Sequence, residues 1–266
     1  KLIAGVVGHA YALVADAVES TADIFSSLIV IGGLHIAAQP ADENHPYGHG
    51  RAEALAGAVV SLMLIAAAIG IAIEAIREIR TPHHAPKAWT LVVLVGVMVI
   101  KQILARRVSN VAAETGSRAV MADAQHHHSD AITSAAAFIG ISIAVIGGPG
   151  WEPADDWAAL VASGVIAYNG VKMLRPAIDD LMDRMPDISI FQCVSAAATS
   201  VEEVCAIEKL KIRKIGLTYA VDLHVQADPR MSLHDAHIVS GKVKGAIKAA
   251  MPAVDGVHIH MEPFET

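Results

Sequence analysis

Two stretches of this chain, residues 54–73 and 131–151, are 20 and 21 residues long and contain no Asp, Glu, Lys or Arg. A helix of either length spans a hydrocarbon layer of ~30 Å. A purely water-soluble globular enzyme is thereby excluded. Composition agrees: 54% of residues are hydrophobic and 18% charged, where a soluble domain carries roughly 25% charge. Five segments read as membrane helices, at residues 10–38, 52–79, 88–108, 120–146 and 157–174, and the opening residues 1–5 read as the tail of a further apolar helix. Gly and Ala dominate these segments, as in close-packed membrane helices. Lys101 interrupts the third, where a lysine either snorkels to the interface or faces a bundle interior.

Charge placement gives an orientation. Arg51, Arg106, Arg107, Arg118, Lys172, Arg175 and Arg184 flank one side, whereas residues 147–156 carry Glu152, Asp155 and Asp156 with no Lys or Arg. The positive-inside rule therefore puts residues 39–51, 106–118 and everything after Arg175 in the cytoplasm. Arg77, Arg80 and Lys87 lie on the other face beside Glu74 and Glu78. A net charge of −7 without a basic stripe argues against a nucleic-acid partner. Cys193 and Cys205 form neither a disulfide framework nor a CxxC motif, which points to a reducing compartment. The N-terminus lacks signal-peptide organisation.

The pattern changes after Pro186. Residues 188–201 fit a helix, 206–215 and 217–226 alternate as strands about a turn at Gly216, 233–251 are helical with Ser232 as N-cap, and 257–261 close as a strand. This αββαβ order predicts a small α+β domain with an open-faced sheet. The expected division is a polytopic α-helical transmembrane domain at 1–180 and a C-terminal domain at 187–266.

Ionisable residues inside two membrane segments are the first candidates for chemistry. Glu19 and Asp23, and likewise His126 and Asp130, stand four apart, so each pair shares one helix face about one turn apart. Paired carboxylates in a membrane repel unless a cation sits between them or one is protonated. The bland alternative is a helix end at the interface. Each pair, however, is followed by a Ser-containing apolar stretch, and together they supply one imidazole and three carboxylates, a four-ligand set for a divalent transition metal. Asp16, three residues before Glu19, either extends that face or caps or lines the helix. His127 and His128 cannot both point where His126 points. In the loop after the first full segment, Asp42, His45 and His49 have short spacings with Pro and Gly between them, so three side chains can converge from a turn. In the C-terminal part, His224 sits on a strand and His237 on the second helix. His258, His260 and Glu262 alternate along the last strand and share a side. His234 is expected to be exposed.

The string His45-Pro-Tyr-Gly-His49-Gly-Arg51 resembles the signature loop of the cation diffusion facilitator family of divalent-metal/proton antiporters. Leu13 to Asp23 is similar to that family's second helix, and Ala122 to Asp130 to its fifth. The resemblance covers essentially the whole chain. It implies six transmembrane helices, with Lys1 near the end of the first and both termini cytoplasmic, followed by a metallochaperone-like αββαβ domain. It also implies a homodimer in the lipid bilayer of the cell inner membrane. By the same resemblance Glu19, Asp23, His126 and Asp130 form the transport site, and Asp42, His45 and His49 a secondary loop site. His224, His237, His260 and Glu262 fall in regulatory cytoplasmic sites near the dimer contact, with Glu208 in place of a histidine that some relatives use. The position of Glu19 is usually His in the family's zinc exporters and Asp in some broader-range members. A harder, longer ligand there admits Fe²⁺, Mn²⁺ or Cd²⁺ beside Zn²⁺.

The expected function is export of Zn²⁺, or a similar divalent ion, by proton antiport. The metal is substrate and regulatory ligand, with no other cofactor. An intramembrane metalloprotease is disfavoured because no HExxH string occurs, and the chain is expected not to be an enzyme. A passive metal channel, or a non-transporting sensor or assembly partner of the same fold, is the alternative.

Overall fold

The computed structural model describes residues 1–80, 86–115, 134–148 and 150–264. In chain order the elements are α1 (Leu2–Gly8), α2 (Tyr11–Ala37), α3 (Arg51–Arg80), α4 (Trp89–Thr115), α5 (Ser134–Gly147), α6 (Pro153–Leu181), α7 (Ile188–Thr199), β1 (Ala206–Ile215), β2 (Thr218–Ala227), α8 (Leu233–Ala250) and β3 (Val254–Pro263). Two compact units result: residues 1–28 with 59–173, and residues 29–58 with 174–266.

In the first unit the helices are apolar on nearly all sides. Among the described residues α2, α3 and α6 are each long and apolar enough to cross a membrane. The interior is small and aliphatic, built from Ala10, Ala12, Leu13, Ala75, Leu94, Ala137, Ile141 and Ala159. Gly140 shows why small residues are needed: a Cβ there would stand 2.3 Å from the Ala158 Cβ, so α5 and α6 approach too closely for any side chain. Outward-facing positions stay apolar, with Val92 75%, Ile100 68% and Ile146 82% exposed. In water such a surface would be an association liability; in hydrocarbon it is the solvated state.

The start of α2 is fastened from a distant helix. Asp155, in the first turn of α6 and buried, accepts hydrogen bonds from the backbone N–H of Tyr11 at 2.6 Å and of Ala12 at 3.1 Å. Two of the N–H groups that every helix start leaves unpaired are thus satisfied. The Tyr11 hydroxyl meets Glu78 at 3.0 Å, which adds α3 to the same anchor. α4 and α6 run beyond the segments read from sequence, because both continue as helix past the charged residues that end their apolar parts. The expected helix at 120–146 is described only from Ser134 onward.

In the second unit β2 is central, pairing antiparallel with β1 and parallel with β3. Val221, Leu223, Val225 and Ala227 are the buried alternate positions of β2. Val194 and Ala198 of α7, and Val239, Val243 and Ile247 of α8, repeat every four residues and cover that one face. The other face stays open. Ser232 caps α8, its side chain accepting from the Asp235 N–H at 3.2 Å. Two ion pairs join segments of this unit: Arg51 holds Asp183 at 2.8 and 3.0 Å, and Lys214 meets Asp180 at 3.0 Å.

Candidate metal centres

The loop between α2 and α3 folds around one carboxylate. Asp42 Oδ1 accepts from the backbone N–H of Asn44 at 2.9 Å and of His45 at 2.6 Å. These bonds, the His45 N–H first, hold the Asp42 carboxyl below its ordinary range, so it stays an ionised acceptor. Gly48 reverses the chain at φ 79°, a region that favours glycine, and its N–H donates to the His45 carbonyl at 2.9 Å. That turn brings the His49 ring against His45, tilted by 46° with centroids 4.4 Å apart. His49 Nδ1 lies 3.2 Å from the Pro40 carbonyl, which can only accept, so Nδ1 carries the proton. In the neutral ring Nε2 then presents its lone pair, 3.5 Å from Asp42 Oδ2. A lone pair facing a carboxylate is an arrangement that a cation between them completes.

The open face of the sheet carries the second cluster. Register pairs His224 with His260 and Gln226 with Glu262 across β2 and β3. Glu262 Oε1 reaches both rings, at 2.6 Å from His224 Nδ1 and 3.6 Å from His260 Nε2. Glu208 sits where β1 shifts register against β2, and it joins the group. Its carboxyl is held below the usual range by the hydrogen bond with Glu262 first, and by Lys209 next.

In each of these two triads one ligand atom per residue lies within 4.8 Å of the others. Donors around a tetrahedral ion with bonds of 2.0–2.1 Å stand roughly 3.4 Å apart, so a modest contraction suffices. His237 is not brought into the second triad. It is exposed on α8, which packs on the Val221–Leu223–Val225 face, whereas His224 points to the opposite one.

In the membrane-type unit Glu19 is 7% exposed and Asp23 half-buried, one turn apart on α2. His126 and Asp130, and with them His127 and His128, lie outside the described residues. Sequence reasoning left Asp16 and Lys101 without assigned partners. Asp16 is buried and receives Lys101 Nζ at 3.0 Å, Lys1 Nζ at 2.8 Å and the Ser134 hydroxyl. The one available signal was a lysine placed inside an apolar helix.

Residues 1–182 match the family model of the cation efflux transmembrane domain, and residues 186–264 that of the cation efflux protein, cytoplasmic domain. The chain belongs to the cation efflux family. It is therefore an integral membrane protein of a metal-transporting family, built as a helical membrane domain followed by a small α+β domain. Relatives of this family member include the manganese efflux system protein MneP of Bacillus subtilis, 30% identical over 99% of this chain and 90% of its own length. The magnetosome protein MamB of Magnetospirillum gryphiswaldense is 30% identical over 99% of this chain and 88% of its own. Metal tolerance protein C1 of Arabidopsis thaliana is 30% identical over 99% of this chain and 59% of its own.

Proposed function

We propose that this chain exports a divalent transition-metal cation from the cytoplasm in exchange for protons, as a homodimer in the cell inner membrane with both termini cytoplasmic. The observation that carries the reading is the Glu19–Asp23 pair, an acid shielded from solvent and a half-buried acid on one face of an apolar helix. Ionisable groups inside an apolar helix mark ion pathways by default, and carboxylates are ligands for divalent cations. His126 and Asp130 complete the ligand set. Metal binds ionised carboxylates and a neutral imidazole, so protons and metal compete for one site. Protonation from outside expels the metal, and deprotonation inside restores the site. The chain acts as a transporter and not as an enzyme.

Zn²⁺ suits the set through His126. A second reading, Mn²⁺, is favoured by the hard carboxylate of Glu19 and by the manganese efflux relative MneP. Metal flux into proteoliposomes tests both. An acid lumen is expected to drive Zn²⁺ or Mn²⁺ uptake, and a protonophore to stop it. Metal entry that is indifferent to the proton gradient identifies a passive channel and overturns antiport.

The loop and sheet triads are proposed as accessory sites, the second one regulatory. His45→Ala combined with His49→Ala is expected to remove one bound metal per protomer, read by elemental analysis, while substantial flux remains. Complete loss of flux would place the loop on the transport path. Glu262→Ala removes the oxygen shared by both rings and is expected to weaken metal binding at the sheet by at least ~10-fold. Calorimetric titration of the full chain checks it.

A further inference from the structure

The second unit holds a cavity of about 530 Å³ between the α2–α3 loop and the end of the β1–β2 hairpin. Its walls are fixed: a Cβ at Gly50 would stand 2.7 Å from Ile215 Cγ2, so loop and hairpin lie backbone against backbone beside it. Two charged residues in the lining are incompletely paired. Glu53, in the first turn of α3, and Arg213, on β1, both line the cavity. Glu53 Oε2 and Arg213 Nε are buried without a hydrogen-bond partner. No ion pair joins the two side chains. Lys214 donates to Asp180 at 3.0 Å, and the contact of Arg213 with Asp222 is long, at 3.9 Å. Buried polar atoms of a folded chain are nearly always paired, so an orphaned acceptor and an orphaned donor on one cavity point to a ligand that carries both charges.

The remaining lining is largely apolar. Leu34 and Ala37, from the last turn of α2, belong to it, as do Tyr47 and Leu217, which are 83% and 77% exposed. α2 has 27 residues and is therefore about 40 Å long. That exceeds a hydrocarbon core of ~30 Å, so its last turn reaches the headgroup layer. We propose that this cavity binds the headgroup of a membrane phospholipid of the phosphatidylethanolamine type. The ammonium donates to Glu53, the phosphate accepts from Arg213, and the glycerol and upper chains run along Leu34 and Ala37. Charge selects the class. Two carboxylates, Glu53 and Asp255, share the lining with one guanidinium, so a cation beside the phosphate fits and a purely anionic headgroup does not. A quaternary ammonium has the charge but no N–H, and leaves Glu53 Oε2 unpaired.

The full chain, stripped of lipid in a maltoside detergent, is titrated calorimetrically with dihexanoyl phosphatidylethanolamine, phosphatidylcholine and phosphatidylglycerol, and with free phosphoethanolamine. Phosphatidylethanolamine is expected to bind once per protomer, at least about tenfold tighter than either other lipid, because each of those loses a charge-assisted bond. Glu53→Met, which removes the acceptor at similar volume, is expected to bring phosphatidylethanolamine down to the phosphatidylcholine level. Arg213→Gln is expected to weaken both lipids alike, by about tenfold. Wild-type protein that binds the three lipids equally, or none of them, overturns the proposal without any variant, so a variant that fails to fold does not shelter it. A phosphatidylethanolamine preference that survives Glu53→Met overturns it as well. Free phosphoethanolamine that binds as tightly as the lipid identifies a soluble ligand and overturns the membrane source.

Discussion

Asp23→Ala is expected to abolish metal transport while the protein still inserts and folds. Removing a group that merely orients a metal ligand costs 10–100-fold in affinity, so removing a ligand oxygen is expected to cost about 100-fold or more in flux. Asp130→Ala should do the same from the other helix. Insertion is preserved because taking a charge out of an apolar segment makes the segment easier to place in hydrocarbon. Folding is preserved because the start of α2 is fastened elsewhere, by the Asp155 carboxylate on the Tyr11 and Ala12 N–H groups. The measurement is Zn²⁺ and Mn²⁺ uptake under an imposed proton gradient, normalised to reconstituted protein. Wild-type uptake with normal expression would remove Asp23 from the site.

What the sequence made legible was whatever depends on short range or on period. The charge-free runs marked α3 and α5, the αββαβ order followed from a change of period, and the Asp42–His45–His49 triad was visible because its members lie within eight positions. Ser232 was readable as a cap from its place before an apolar periodic run. The rest depends on which face an element turns inward. The partners of His224 follow from a parallel β2–β3 register that no local pattern fixes. His237 was grouped with His224 although the helix carrying it covers the opposite side of the sheet. The Asp16 cluster was unreadable for a similar reason. Lys101 and Ser134 are 85 and 118 positions away from Asp16. A long-range ion pair leaves no period, only the anomaly of a lysine in an apolar helix.

Glu19→His is expected to raise the preference for Zn²⁺ over Mn²⁺ by about tenfold, which corresponds to ~1.4 kcal/mol between the two ions at one ligand. The substitution changes the proposed set from one imidazole and three carboxylates to two of each. Imidazole is a good ligand for Zn²⁺ and a poorer one for the harder Mn²⁺. The loss of one negative charge works in the same direction, because Mn²⁺ depends more on charge and less on covalency. Glu19 is 7% exposed, so the exchange is made where the electrostatic environment is least screened by water. An imidazole is also a weaker burden there than an ionised carboxylate, so the fold tolerates it. Flux with both ions present, compared between wild type and variant, is the measurement. An unchanged or reversed preference would mean that Glu19 does not touch the metal, and the ligand set would then have to be rebuilt around Asp23 and Asp16, with the lysines now on Asp16 displaced by the ion.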